Sequence, residues 1–200
     1  MWTVDVRESV CRRGALSLRF APGEASPNSL LTGSWEDADA AARAERLSDQ
    51  WRPFRIERIE DESEAIRSFH LSPDDGEGVA PWQPGQHLSV RVQPDPAVPA
   101  LIRSYTLSSA PADGRYRISV KRDGEVSRYL HERLQVGHRI EVRSPAGQFV
   151  FDASERRPAV LLSAGVGITP MIAMLRQLVF EGRRSRRFRR AIFIHGARSA

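Results

Sequence analysis

Two short stretches of this 200-residue chain hold residue types at a spacing that can do chemistry: Arg103-Ser104-Tyr105-Thr106 and, about sixty residues later, Ala164-Gly165-Val166-Gly167-Ile168-Thr169-Pro170-Met171. In an extended strand Arg103 and Tyr105 lie one period apart and share a face, with Ser104 and Thr106 on the other. A guanidinium can grip a pyrophosphate through two charge-assisted hydrogen bonds, each worth about 1.5–3 kcal/mol, and a phenol ring can stack on a flat ring system. The same pair also suits an ordinary sheet surface, with an exposed arginine beside a half-buried tyrosine.

The second stretch reads as a tight turn between a strand and a helix, the setting a dinucleotide phosphate requires. Pro170 stands where the usual third glycine would be. Thr169 as N-cap and Pro170 at the first helical position make local sense, and a plain strand–helix turn is the competing account. Between the two stretches, Lys121-Arg122-Asp123-Gly124-Glu125-Val126-Ser127 forms a basic strand end and a turn around Gly124. Ser127 is expected to cap the helix that follows, where free N–H groups attract phosphate, or to cap it with no ligand. Beyond the last strand, Gly196-Ala197-Arg198-Ser199 offers no carboxylate for a ribose, and Arg198 suits a 2′-phosphate or a solvated loop, which tilts the choice toward NADPH.

Several elements must hold these residues in place. Alternating runs at Phe54 to Ile59, His87 to Val92, Tyr116 to Lys121 and Arg139 to Val142, bounded by Gly, Pro and Asp, predict a small antiparallel barrel over residues 49–153. One helix is expected from Arg128 to Gln135. Residues 156–200 read as one β-α-β unit: a buried strand at Ala159 to Ser163, a helix from Pro170 to Glu181 and a strand at Ala191 to His195. Two strands alone leave an apolar edge unpaired. Residues 1–48 read as a linker or the tail of an upstream domain, with alternation at Ala15 to Phe20 and an alanine-rich helix through Leu47, started by Ser34 with Asp37.

Composition narrows the function classes. Six of the thirty basic residues lie in the run Arg183 to Arg190, and without those six the formal charge of +5 becomes −1. The basic character is therefore local, which argues against a nucleic-acid binder; the run is either solvated or steers an acidic partner. Cys11 is the only cysteine, so no intrachain disulfide or cysteine metal cluster can form, and the five histidines show no ligand spacing. No signal-like N-terminus is seen. The uncharged stretch from Pro158 to Leu175 is broken by Gly165, Gly167 and Pro170, so neither membrane nor metal is expected and the setting reads as cytoplasmic.

From about Trp51 onward the chain resembles the ferredoxin-NADP reductase superfamily, in particular flavohemoglobin reductase domains and phthalate dioxygenase reductase-type proteins. The marks are Pro84-Gly85-Gln86, Arg103-Ser104-Tyr105-Thr106, Ile118-Ser119-Val120-Lys121-Arg122, Gly124-Glu125-Val126-Ser127, Ser144-Pro145-Ala146-Gly147-Gln148-Phe149, the glycine turn and His195-Gly196-Ala197-Arg198. The resemblance implies a Greek-key barrel binding FAD, followed by a partial α/β domain for NADPH or NADH. Arg103 would hold the pyrophosphate, Tyr105 the isoalloxazine, Thr106 its reactive nitrogen, and Val126 and Ser127 the phosphates. Ser104, Ile118, Val120, Lys121 and Gly124 would complete the flavin site. Gly165, Val166, Gly167, Thr169, Pro170 and Arg198 would take the nicotinamide dinucleotide, with Tyr105, Thr106 and Thr169 nearest the chemistry. Hydride would pass to FAD and electrons singly to an iron–sulfur, haem or other acceptor, a redox protein or domain. The family's cysteine–glycine segment and further nucleotide-domain strands are absent, so the chain reads as a fragment that binds FAD and turns over NAD(P)H poorly. A non-catalytic FAD-binding or docking module is the alternative.

Overall fold

The computed structural model describes residues 16–18 and 50–197. Cys11, the helix expected to start at Ser34, and Arg198 lie outside these residues. Six strands make the first sheet: β2 (Arg52–Ser63), β3 (Ile66–Pro73), β4 (His87–Val92), β5 (Leu101–Thr106), β6 (Tyr116–Lys121) and β7 (Arg139–Val142). Their order is β5-β4-β7-β2-β3-β6, and every pairing is antiparallel. A bridge between Leu107 and Ile118 joins the two outer strands, so the sheet curls into a barrel.

Alternation dictates the interior. Phe54, Ile56, Phe69, Leu71, Leu88, Val90, Tyr116, Ile118, Val120 and Val142 are all sealed inside, each side chain contributing about 1.5–3 kcal/mol by leaving water. Helix α1 (Glu125–Arg133) adds Val126 and Leu130 to the same core. Tyr116 stacks on Phe54 at 5.3 Å and meets the edge of Trp82 at 5.1 Å. Its hydroxyl donates to the Ala80 carbonyl at 2.9 Å, and the Trp82 indole N–H donates to the Ser109 carbonyl at 3.5 Å, so both polar groups of this aromatic cluster have partners.

Three strands form the second sheet, in the order β1-β9-β8. Strands β8 (Ala159–Ala164) and β9 (Ala191–Gly196) run parallel, joined through helix α2 (Ile168–Ser185). Met171, Met174 and Leu178 of that helix pack on Ala159, Leu161, Ala191 and Phe193. Strand β1 (Leu16–Leu18) adds antiparallel to the free edge of β9, with Leu18 opposite Ala191. These three residues of the first 48 thus pair with the sheet. The other side of β8 stays open, with Val160 and Leu162 62% and 66% exposed.

Gly85 marks where the two halves meet. It takes φ +105, and a Cβ there would stand 2.0 Å from the Phe149 carbonyl oxygen and 3.0 Å from the Met174 Cε. Only glycine admits the barrel loop, the connecting segment and α2 at that point. A second latch closes the start of β2. Buried Arg52 donates to both Asp75 carboxylate oxygens at 2.7 Å and to the Gly78 carbonyl at 2.8 Å. The bonded guanidinium holds the Asp75 carboxyl below its ordinary value of 3.8.

Gly85→Ala should therefore cost at least about 3 kcal/mol in urea unfolding, from strain plus overlap. Gly76→Ala, with φ +76 but nothing within 4 Å, should cost only about 1 kcal/mol. Equal losses would show that the approach at Gly85 does not matter. Because the Asp75 pKa is depressed by folding, its stabilisation is full above the ordinary carboxylate range and lost as pH falls through the lower folded value. Asp75→Asn should be less stable than wild type at neutral pH, and the gap should close below pH 3.8; a gap that persists in acid would contradict the latch.

Candidate functional site

Among the described residues strand β5 pairs only with β4, so its other edge is free of them from Leu101 to Thr106. Opposite residues of an antiparallel pair point to the same side of the sheet. Tyr105 faces Leu88 across the pair and Arg103 faces Val90, both core residues. Arg103 and Tyr105 therefore share one face, as their spacing predicts, and α1 is in contact with the same strand. Arg103 is exposed and spends one donor on the neighbouring Ile102 carbonyl at 2.8 Å, which leaves most of its fork open. Tyr105 is half-buried against the barrel core. Burial pushes its hydroxyl above the ordinary tyrosine range, and the nearby Arg103 charge draws it part of the way back. Ser104 lies exposed on the opposite face, and Thr106 is half-buried opposite His87.

The start of α1 differs from expectation. Gly124 is the N-cap and the helix begins at Glu125, three residues earlier than predicted. Ser127 is at the third helical position. Its hydroxyl accepts from the backbone N–H groups of Asp123 and Gly124 at 3.0 and 2.8 Å and donates to the Gly124 carbonyl at 2.9 Å. A small side chain reaching back from the third position closes the cap, so none is needed at Ser127 itself. The first intrahelical bond runs from Arg128 to Gly124. The N–H groups of Glu125, Val126 and Ser127 thus have no acceptor within the helix and form the anion-attracting end. Val126 and Ser127 are buried, so their side chains offer no exposed surface. Ile118 and Val120 are sealed in the core by the strand's alternation and offer a ligand no side chain. Lys121 is exposed, 3.5 Å from Asp123.

The glycine turn is also tighter than predicted. Gly165, at φ 51, opens a single 3-10 turn over Gly165–Gly167, and α2 continues from it at Ile168 with Gly167 as N-cap. The turn is already helical, so no extended residue is left at Thr169 to act as cap. Thr169 is buried instead, and its hydroxyl donates to the Val166 carbonyl at 3.1 Å, which removes it from the reacting face. Pro170 lies inside the first turn, and Val166 is 45% exposed. A contact not anticipated lies beside the turn: Ser163 Oγ and His195 Nδ1 are 2.9 Å apart at the carboxyl ends of β8 and β9. Only the register of the two strands brings them together.

Two grooves lie away from this face. A groove of about 250 Å³ on another barrel wall is lined by Arg91, Tyr129, Arg139 and Glu141, and a second, of about 360 Å³, lies on α2. Neither touches Arg103 or Tyr105. We give the Arg103–Tyr105 face more weight than either groove, since a long dinucleotide lying along a strand edge needs a ledge with fixed donors, not a deep hole. Among the described residues no group of three His, Cys, Asp or Glu side chains could hold a metal, and no helix is long and apolar enough to cross a membrane.

Residues 53–151 match the oxidoreductase FAD-binding domain family. The chain is 42% identical over 167 residues to a flavohemoprotein of Bacillus subtilis, an alignment covering 82% of this chain and 41% of that protein. It superposes with a TM-score of 0.68 and 38% identity on the flavohem-like FAD/NAD binding domain of nitric oxide dioxygenase from Vibrio cholerae, covering 74% of this chain and 63% of that one. Phthalate dioxygenase reductase gives a TM-score of 0.64 at 30% identity, covering 76% of this chain and 45% of that one. The chain thus spans about two-fifths of the flavohemoprotein it matches.

Since the Ser127 hydroxyl is consumed by its own turn, Ser127→Ala should lower stability by about 1 kcal/mol in thermal unfolding. At a temperature where the variant is fully folded it should leave flavin affinity within about threefold of wild type. A larger loss of affinity would mean that the hydroxyl touches the ligand.

Proposed function

Since the chain belongs to the ferredoxin-NADP reductase superfamily, we propose that it is the flavin-binding part of an NAD(P)H-dependent oxidoreductase. It holds FAD along the free edge of β5 and passes electrons to a haem or iron–sulfur protein or domain. The observation that carries this reading is the face shared by Arg103 and Tyr105 on a strand with a free edge, in a fold where β5 also contacts α1, whose first N–H groups are unfilled. A cation and a helix N-terminus both suit a pyrophosphate, and a half-buried phenol beside the cation suits a flat ring.

When bound, FAD supplies an acceptor for hydride that can release electrons one at a time. The residues orient and desolvate. Arg103 would pair with phosphate oxygens, and the backbone of Glu125, Val126 and Ser127 would complete that cradle. Tyr105 would carry one face of the ring and shield it from water, while Thr106 offers a hydroxyl on the same strand. The exposed Gly165–Gly167 turn would receive the nicotinamide dinucleotide at the carboxyl end of β8, with Ser163 and His195 beside it. No side chain here is required to move a proton, because hydride transfer depends on placing the reacting atoms within about 3–3.5 Å. The absence of a carboxylate after β9 favours NADPH, with Arg198 as the expected partner of its extra phosphate. Flavohemoprotein relatives and a reductase acting on a [2Fe-2S] centre support haem or iron–sulfur as the acceptor class. A cytoplasmic setting follows from the same reading.

Purified protein should take up FAD and turn yellow, and Arg103→Ala should weaken that binding by about 10- to 150-fold, the worth of one lost charge-assisted contact. NADPH added without oxygen should then lower the flavin absorbance near about 450 nm. Failure to bind FAD would end the proposal, whereas a flavin that binds but stays oxidised would reassign the chain as a docking module.

A further inference from the structure

The last turn of α2 and the loop from it to β9 together carry six arginines, four of them in the loop itself, and the loop is pinned. Arg186 adopts φ 54, and its N–H and that of Arg187 both turn back to the Gly182 carbonyl. Phe188 lies so close over Gly182 that a Cβ there would be 2.3 Å from its ring. Arg189 stacks on Phe151 at 4.9 Å and donates to the Asp152 carbonyl at 2.8 Å and the Glu155 carboxylate at 3.2 Å. Held at both ends, the loop presents Arg186, Arg187 and Arg190 outward after the exposed Arg183 of α2, and among the described residues the side chains of these four make no hydrogen bond or ion pair. The dipole of α2 accounts for cations in its last turn, such as Arg183, but its influence fades beyond that turn and does not explain a fixed row of arginines after it.

Arg183 also borders an apolar groove. The groove, of about 360 Å³, runs between the 3-10 turn Pro111–Asp113 and the outer side of α2 and is lined by Ala112, Leu175, Val179 and Phe180. Phe180 is 43% exposed there. Arg176, paired with Asp113 at 3.4 Å, stands on the groove wall. Apolar floor and cationic rim together match one kind of occupant. We propose that this surface docks an acidic protein segment carrying an apolar anchor, the anchor lying on Val179 and Phe180 and the carboxylates pairing with Arg183, Arg186 and Arg187. Nucleic acid fits less well, because Phe188 is turned onto Gly182 and the loop offers no aromatic platform for bases. The loop enters the first residue of β9, so the six-residue strands put it on the order of 20 Å from the glycine turn. A partner seated there leaves the nucleotide turn uncovered. The proposal does not rest on the flavin reading, and its test reads no flavin signal.

The test uses the whole chain and a fluorescein-labelled twelve-residue peptide of Asp and Glu with one central Trp, followed by anisotropy. Binding should weaken as salt rises from about 50 to about 300 mM, as exposed charge pairs require. The double variant Arg183→Glu/Arg187→Glu should lose at least about tenfold in affinity. Phe180→Ser should weaken the Trp peptide but not a version with Ser in place of Trp. All three positions are solvent-accessible, and circular dichroism melts check that the variants stay folded. Three outcomes would overturn the proposal: no effect of the charge reversal, equal binding of the two peptides by wild type, or tighter binding of an oligo-U RNA of matched charge.

Discussion

The barrel closes through one bridge, Leu107 to Ile118, and this leaves the rest of β5 without a neighbour on one side. That incomplete closure decides what the barrel can hold. A strand paired on both edges would present only alternating side chains. A strand with one free edge also presents unpaired backbone groups and room for a long ligand beside it. Arg103 and Tyr105 lie on the same side of the strand as the core residues opposite them, and α1 contacts the same strand. The core residues Leu88 and Val90, directly opposite, fix the register, and a slip by one residue would turn both side chains outward.

The wall beside the closing bridge is held by polar groups. On the outer side of β3 and β6, Ser68 and Ser119 share a hydrogen bond at 2.7 Å, and Ser119 and Ser108 another at 2.9 Å. Buried Arg117 reaches Ser108 at 3.3 Å and pairs with Glu62. Glu60 lies 3.8 Å from the same guanidinium and 2.9 Å from His70. The hydrogen bond from His70 and the surrounding cations keep Glu60 below its ordinary carboxyl range. Buried polar atoms need partners, and this network supplies nearly all of them, with Arg117 Nε the exception. It ties β6 to the segment after β5 at the point where the outer strands meet.

The α/β half depends on the barrel as well as on its own core. Its helix covers one face of the sheet, and the open face keeps Val160, Leu162 and Ile194 in water. Gly85 brings Phe149 and Met174 together at the join, so the barrel loop and α2 approach closely there. Strand β1 answers half of the edge problem that two strands pose: among the described residues the edge of β9 is paired and that of β8 is not.

Patterns of period two and local turn chemistry were enough to locate β4, β6 and β7 at their observed bounds, along with the shared face of Arg103 and Tyr105. Those features depend only on neighbours along the chain. Strand β3 was not legible, because Ser68 and His70 are polar residues on its outer side whose partners come from β2 and β6. Helix starts were misplaced for a related reason: the cap at Gly124 is made by a hydroxyl three residues on, and the start of α2 by a turn that was already helical. The amino-acid order by itself determined the motifs, the alternating strands and the chemical types at the site. Tertiary structure alone decided which edge stays open, which hydroxyls are consumed internally and that Ser163 meets His195, because each depends on register and packing between segments distant in the chain.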